Sequence, residues 1–151
     1  MIVVMNPEST QPTENEPQNE IPEIMDYMAR KHETLGNNYR DESGEYADSC
    51  VLIADDLATV FLRHGQEPQI LRIRGHLIDR INTASIKPRI YEGRVDWGGH
   101  SVCANNGKVY DPMLASPEDI DTYMLSTFDQ PVDYTVALEA AVLRSRLIGE
   151  S

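Results

Sequence analysis

Gly98-Gly99-His100-Ser101-Val102-Cys103-Ala104-Asn105-Asn106-Gly107-Lys108-Val109-Tyr110-Asp111-Pro112 reads as a β-hairpin. Asn and Gly tolerate the positive φ that a tight turn between antiparallel strands requires. Two registers fit. If Asn105 and Asn106 form the loop, Ala104 faces Gly107 and His100 lies directly opposite Asp111. If Asn106 and Gly107 form it, Asp111 lies opposite Val102 and diagonal to His100. Side chains alternate along a strand, so both registers put His100 and Asp111 on one sheet face. Cys103 then points to the other face and is read as packing. A three-residue loop with a bulge would break this alignment.

Outward from the hairpin, residues 48–65 carry the clearest helical signal. Asp48 or Ser49 can cap it, Cys50, Ile53, Ala54, Leu57, Val60, Phe61 and His64 recur at helical spacing, and Gly65 stops it. An earlier helix opens at Pro22, uses Ile24, Met25, Met28 and Leu35, and ends at Gly36, before a polar loop over 37–45. Ile70 to Arg74 reads as a strand, and Arg89-Ile90-Tyr91 as a short one. Ser116-Pro117-Glu118-Asp119 reads as a helix start, with Ile120, Tyr123, Met124 and Phe128 as the apolar face. A strand over Val132 to Leu138 and a helix over roughly Leu138 to Ile148 close the order. Pro7, Pro12 and Pro17 among polar residues predict a disordered tail over 1–20. Residues 21–151 are then one α+β domain, an antiparallel sheet packed against the Cys50 helix. The regular strand–helix alternation of a doubly wound sheet is missing.

Composition narrows the functions. A net charge of −12 argues against nucleic-acid or anionic-membrane binding, which relies on clustered Lys and Arg. Two cysteines make neither a zinc set nor a disulfide scaffold, and His32, His64 and His76 have no thiol or carboxylate at ligand spacing. No metal or other cofactor is expected. No apolar run is long enough for a membrane span. Met1 to Met5 is too short, and lacks the basic flank, for a signal peptide. A cytoplasmic location is expected, with signal-independent export left open.

Three residues suggest chemistry. A thiol is a strong nucleophile only as thiolate, and a helix N-terminus stabilises that anion. Cys50 falls in the first turn of the Cys50 helix, which predicts a lowered thiol pKa, with Asp48 opposing. His100 would store and return the proton, and Asp111 would orient the imidazole. Trp97 either shields that imidazole, lines a cleft, or is plain core. Arg72 and Arg74 share one strand face, as solvated residues or as contacts to an acidic substrate.

Asp48-Ser49-Cys50 opening a helix, Gly99-His100-Ser101-Val102 on a strand, and Gly107-Lys108-Val109-Tyr110-Asp111-Pro112 together resemble the papain-like and transglutaminase-like superfamily. The spacing from Cys50 to His100 resembles its compact bacterial members, the cell-wall amidohydrolases and glutamine deamidases. The resemblance covers about Ser43 to Leu125. It implies attack of Cys50 on a peptide or protein amide through a Cys50–His100–Asp111 triad and a thioester; water would then give hydrolysis or glutamine deamidation and an amine acyl transfer, and hydrolysis is the first expectation because water is the most available acceptor. The upstream Gln that donates to the oxyanion in papain-type enzymes has no match; Asn37 and Asn38 are the candidates for that place. A catalytically inactive binding module, docking a partner through its cleft or acidic surface, is the alternative. The sequence does not set the oligomeric state.

Overall fold

A computed structural model describes residues 21–35 and 49–149. The polar tail over 1–20, the Gly36 helix stop, the loop over 37–45 with Asn37 and Asn38, and the Asp48 cap lie outside these residues.

Pro22 occupies the first turn of helix α1 (Pro22–Thr34), where its missing N–H costs nothing and its φ is already helical. Ile24 and Met28, one turn apart, are its buried pair. Helix α2 (Ser49–Arg63) buries Ile53, Ala54, Leu57, Val60 and Phe61 along one stripe. It ends in a glycine cap. Gly65 takes φ +77° and donates its N–H to the Leu62 carbonyl, while Gln66 donates to the Phe61 carbonyl. The Tyr27 hydroxyl donates to Asp56 at 2.8 Å and ties α1 to α2.

The strands are β1 (Gln69–Gly75), β2 (His100–Asn105), β3 (Lys108–Tyr110), β4 (Glu118–Asp119) and β5 (Val132–Leu138). They form a five-stranded antiparallel sheet in the order β4-β3-β2-β1-β5. Helix α3 (Ile120–Ser126) precedes β5 and α4 (Ala140–Leu147) follows it. The described residues are thus α+β, with four α-helices, and α2 packs against β2. The hairpin takes the second of its two registers. Asn105 pairs with Lys108, and Asn106 and Gly107 form the loop with φ of 56° and 81°.

Both faces of the sheet are covered along β1, β2 and β3, while β5 is mostly exposed. Ile70, Cys103 and Tyr110 pack with Leu57 and Phe61 of α2 and Leu143 of α4. Leu71, Ile73, Val102 and Val109 pack on the other side with Ile86, Tyr123 and Phe128. Burial of each large side chain contributes about 1.5–3 kcal/mol.

Three expected elements differ. Arg89–Tyr91 is a single 3-10 turn and not a strand, closed by bonds from Tyr91 to Pro88 and from Glu92 to Arg89. Glu92 and Gly93 then adopt positive φ, which turns the chain before a ladder can form. The helix expected at Ser116 begins at Ile120, because Glu118 and Asp119 pair with Val109 and Lys108 as β4. That pairing satisfies the outer edge of β3 and sets Lys108 3.6 Å from Asp119. The last helix starts at Ala140, since Leu138 still pairs with Ile70. His64 lies just past the end of α2. Among the described residues no helix is long and apolar enough to cross a membrane.

Candidate active site

His100 opens β2, and Asp111 follows β3 by one residue. The Asn106–Gly107 turn sets Asp111 diagonal to His100 on the same sheet face. Their side chains meet, with 3.0 Å between Nε2 and Oδ2, and are 1% and 0% exposed. Asp111 is held by further donors. Its Oδ1 accepts the Met113 N–H at 3.0 Å, and its Oδ2 accepts the Tyr123 hydroxyl at 2.5 Å. The Met113 contact is the local turn expected of an Asp two residues upstream of the donor.

Burial governs the charges. It pushes the Asp111 carboxyl up to about 6, against the Tyr123 and Met113 donors. Burial and the Arg72 guanidinium pull His100 down to about 3. At neutral pH the pair is therefore a neutral imidazole and a carboxylate. A carboxylate only accepts, so the shared hydrogen sits on Nε2, which donates to Oδ2. Nδ1 is then the basic nitrogen of the ring. Trp97 stacks on the imidazole, with centroids 4.6 Å apart and 25° between planes, and Phe128 meets it edge-on at 6.4 Å. Trp97 thus covers the imidazole while also packing with both cores.

Cys50 is the second residue of α2 and is half-buried. Burial pushes its thiol up, against the Ser101 backbone N–H, the Arg72 guanidinium and the N–H groups of Val51 and Cys50 itself. The expected lowering by the helix start is present but is outweighed by desolvation. The thiol faces the peptide N–H of the residue next to His100. Within β2, strand β3 reaches only Cys103 to Asn105, so the first half of β2 has β1 alone as its strand neighbour. Cys103 is fully buried on the α2 side, and burial pushes its thiol far up, as befits a packing residue.

Arg72 stands opposite Ser101 in the β1–β2 ladder and is half-buried. Its Nη1 donates to Ser101 Oγ at 3.1 Å. The guanidinium fills the space beside Gly99, where a Cβ would lie 2.6 Å from Nη2. Gly99 has no positive φ, so it is glycine for room rather than for conformation. Among the described residues no carboxylate pairs with Arg72. Arg74, two residues on, is exposed.

No protein-family model matches the chain, and neither a curated protein nor a solved structure matches it.

Two contributors escape a reading by pattern. Tyr123 looks like one more apolar residue of a helix, yet its hydroxyl ends on Asp111. The general clue is that a buried tyrosine must place its hydroxyl somewhere. Gly99 reads as part of a flexible Gly-Gly pair, and only the fold shows that Arg72 occupies its side. His32 donates Nδ1–H to the Pro112 carbonyl at 2.8 Å, and His76 lies 3.4 Å from Asp133 at the surface. Among the described residues no cluster of three or more His, Cys, Asp or Glu could hold a metal ion.

Proposed function

We propose that the chain is a thiol-dependent amide hydrolase with a papain-like or transglutaminase-like core, acting on a peptide or glutamine amide. The observation that carries this reading is the buried His100–Asp111 contact, with Asp111 fixed by two further donors and the pair lying beside the residue that Cys50 faces. In this mechanism Cys50 Sγ attacks the amide carbon while His100 Nδ1 takes the thiol proton. The C–N bond breaks, and the amine leaves with that proton. Water then attacks the thioester, giving its proton to Nδ1. The C–S bond breaks, the sulfur takes back the proton from Nδ1, and the carboxylic acid product leaves and ionises in solvent. Asp111 holds the imidazole and balances its charge when Nδ1 is protonated.

One observation supports a second reading, a binding module without turnover: burial holds the Cys50 thiol up and the imidazole neutral. A digest of unfolded carrier proteins separates the two. Mass spectrometry would seek cleaved peptides and Gln-to-Glu conversions in wild type, Cys50→Ala and His100→Ala. The hydrolase reading expects products that vanish in Cys50→Ala and fall about 10²–10⁴-fold in His100→Ala. Identical digests from wild type and Cys50→Ala would leave the binding module.

A further inference from the structure

We propose that Arg72 forms an anion subsite beside Cys50 and takes a carboxylate of the substrate, so that the amide attacked is one with an acidic group next to the scissile carbonyl. The anion subsite stands on the geometry around Arg72. That its ligand is a substrate rests on the amide-hydrolase reading.

The first support is an imbalance. The chain carries 25 Asp and Glu against 13 Lys and Arg, so acidic partners are plentiful. Other cations use them: Arg146 pairs with Asp55, Arg89 with Asp129 and Lys108 with Asp119. Arg72 is half-buried, and among the described residues it has only the neutral Ser101 hydroxyl. Taking a charge from water without a counter-ion is unfavourable, and an incoming anion would remove that penalty.

The second support is shape. A guanidinium presents a planar fork that matches a carboxylate with two parallel N–H donors. Nη1 is anchored on Ser101, and the guanidinium passes beside Gly99, where a Cβ would stand 2.6 Å from Nη2 and push it aside. Gly99 directly precedes His100, and Ser101 follows it. The guanidinium is thus bonded to one chain neighbour of the imidazole and given room by the other. The Ser101 that anchors the guanidinium through its hydroxyl also presents its backbone N–H to the Cys50 thiol, so the two groups share one strand residue. The net charge of −12 repels an acidic ligand at long range, but salt screens that field beyond about 8 Å, so the local cation decides.

Alkylation of the full chain tests this without knowing the substrate. Iodoacetate and iodoacetamide react alike: thiolate sulfur forms a C–S bond, the C–I bond breaks, and iodide leaves. They differ in one negative charge. The ratio of their rates at Cys50, followed by peptide mapping, cancels the fraction of thiolate. With the subsite present, the iodoacetate-to-iodoacetamide ratio should exceed that of 2-mercaptoethanol by about tenfold. Arg72→Gln should bring it down to the free-thiol ratio or below, and Arg72→Lys should lie between. Gly99→Ala keeps the charge but displaces the fork, and should lower the ratio as Arg72→Gln does. A wild-type ratio at or below that of 2-mercaptoethanol overturns the subsite. So does an Arg72→Gln chain that slows both reagents equally, since Arg72 would then serve the thiolate alone. If Arg72→Gln fails to fold, the wild-type ratio and Gly99→Ala still decide. An intact ratio in a chain that hydrolyses no amide would keep the subsite and remove the hydrolase.

Discussion

Folding changes the proton affinities of Asp111 and His100 in opposite directions, because burial disfavours charge on either group. Asp111 rises from 3.8 to about 6, so the folded chain holds that proton more tightly. Its contribution to stability is complete below pH 3.8 and is lost as pH rises through 6. His100 falls from 6.5 to about 3, so its contribution is present above pH 6.5 and is lost as pH falls towards 3. Between pH 4 and 6 the two oppose each other. Asp111→Asn removes the first and keeps the second, so the variant should lose more stability than wild type between pH 7.5 and pH 4.5. Urea midpoints at the two pH values measure this; a variant that loses less would mean that Asp111 titrates lower in the folded chain. At this scale the sequence carried the His100–Asp111 pairing, because alternation along two strands and one turn settles it. It could not carry the raised Cys50 thiol, since desolvation depends on what the rest of the chain stacks around the helix start.

The hairpin is the element that aligns the pair. Gly107 sits at φ 81° and Asn106 at 56°, as a two-residue turn of this hand requires. A Cβ at Gly107 meets nothing nearby, so Gly107→Ala isolates the backbone cost. That substitution should cost about 1 kcal/mol. Denaturant unfolding checks it, and an unchanged midpoint would show that the turn relaxes freely. Helices α1 and α2 were legible because their Pro and Gly punctuation is local. Arg89–Tyr91 and Glu118–Asp119 were not, because whether a short segment extends depends on a partner strand distant in sequence. Glu118 and Asp119 look like first-turn acids until Lys108 and Val109 are seen alongside them.

Across the whole molecule, one sheet divides two cores, and β1 contributes to both. Leu57 and Leu71 are each 0% exposed, one on either side. Truncation of either to Ala should cost about 2–5 kcal/mol. The single tryptophan, Trp97, touches both cores and so reports on each. Unfolding followed by its fluorescence and by far-ultraviolet dichroism should give one coincident transition in both variants, since neither core can open without the shared sheet. Separate transitions in Leu71→Ala would show that the two sides unfold independently. The antiparallel α+β class was readable from the order of elements. The layering was not, because a strand buried on both faces loses the alternation that marks an inside and an outside.

The placement of β1 between two strands that follow it in the chain also sets a schedule. Its two neighbours, β2 and β5, both come later in the chain, with Gly75 waiting for Val132. A ribosome therefore releases the cysteine well before the histidine, and the final sheet strand later still. Pairings over such separations close slowly compared with helix formation. A nascent chain thus carries Cys50 before either member of the His100–Asp111 pair has emerged, and the last strand to arrive, β5, closes the side of β1 away from that pair.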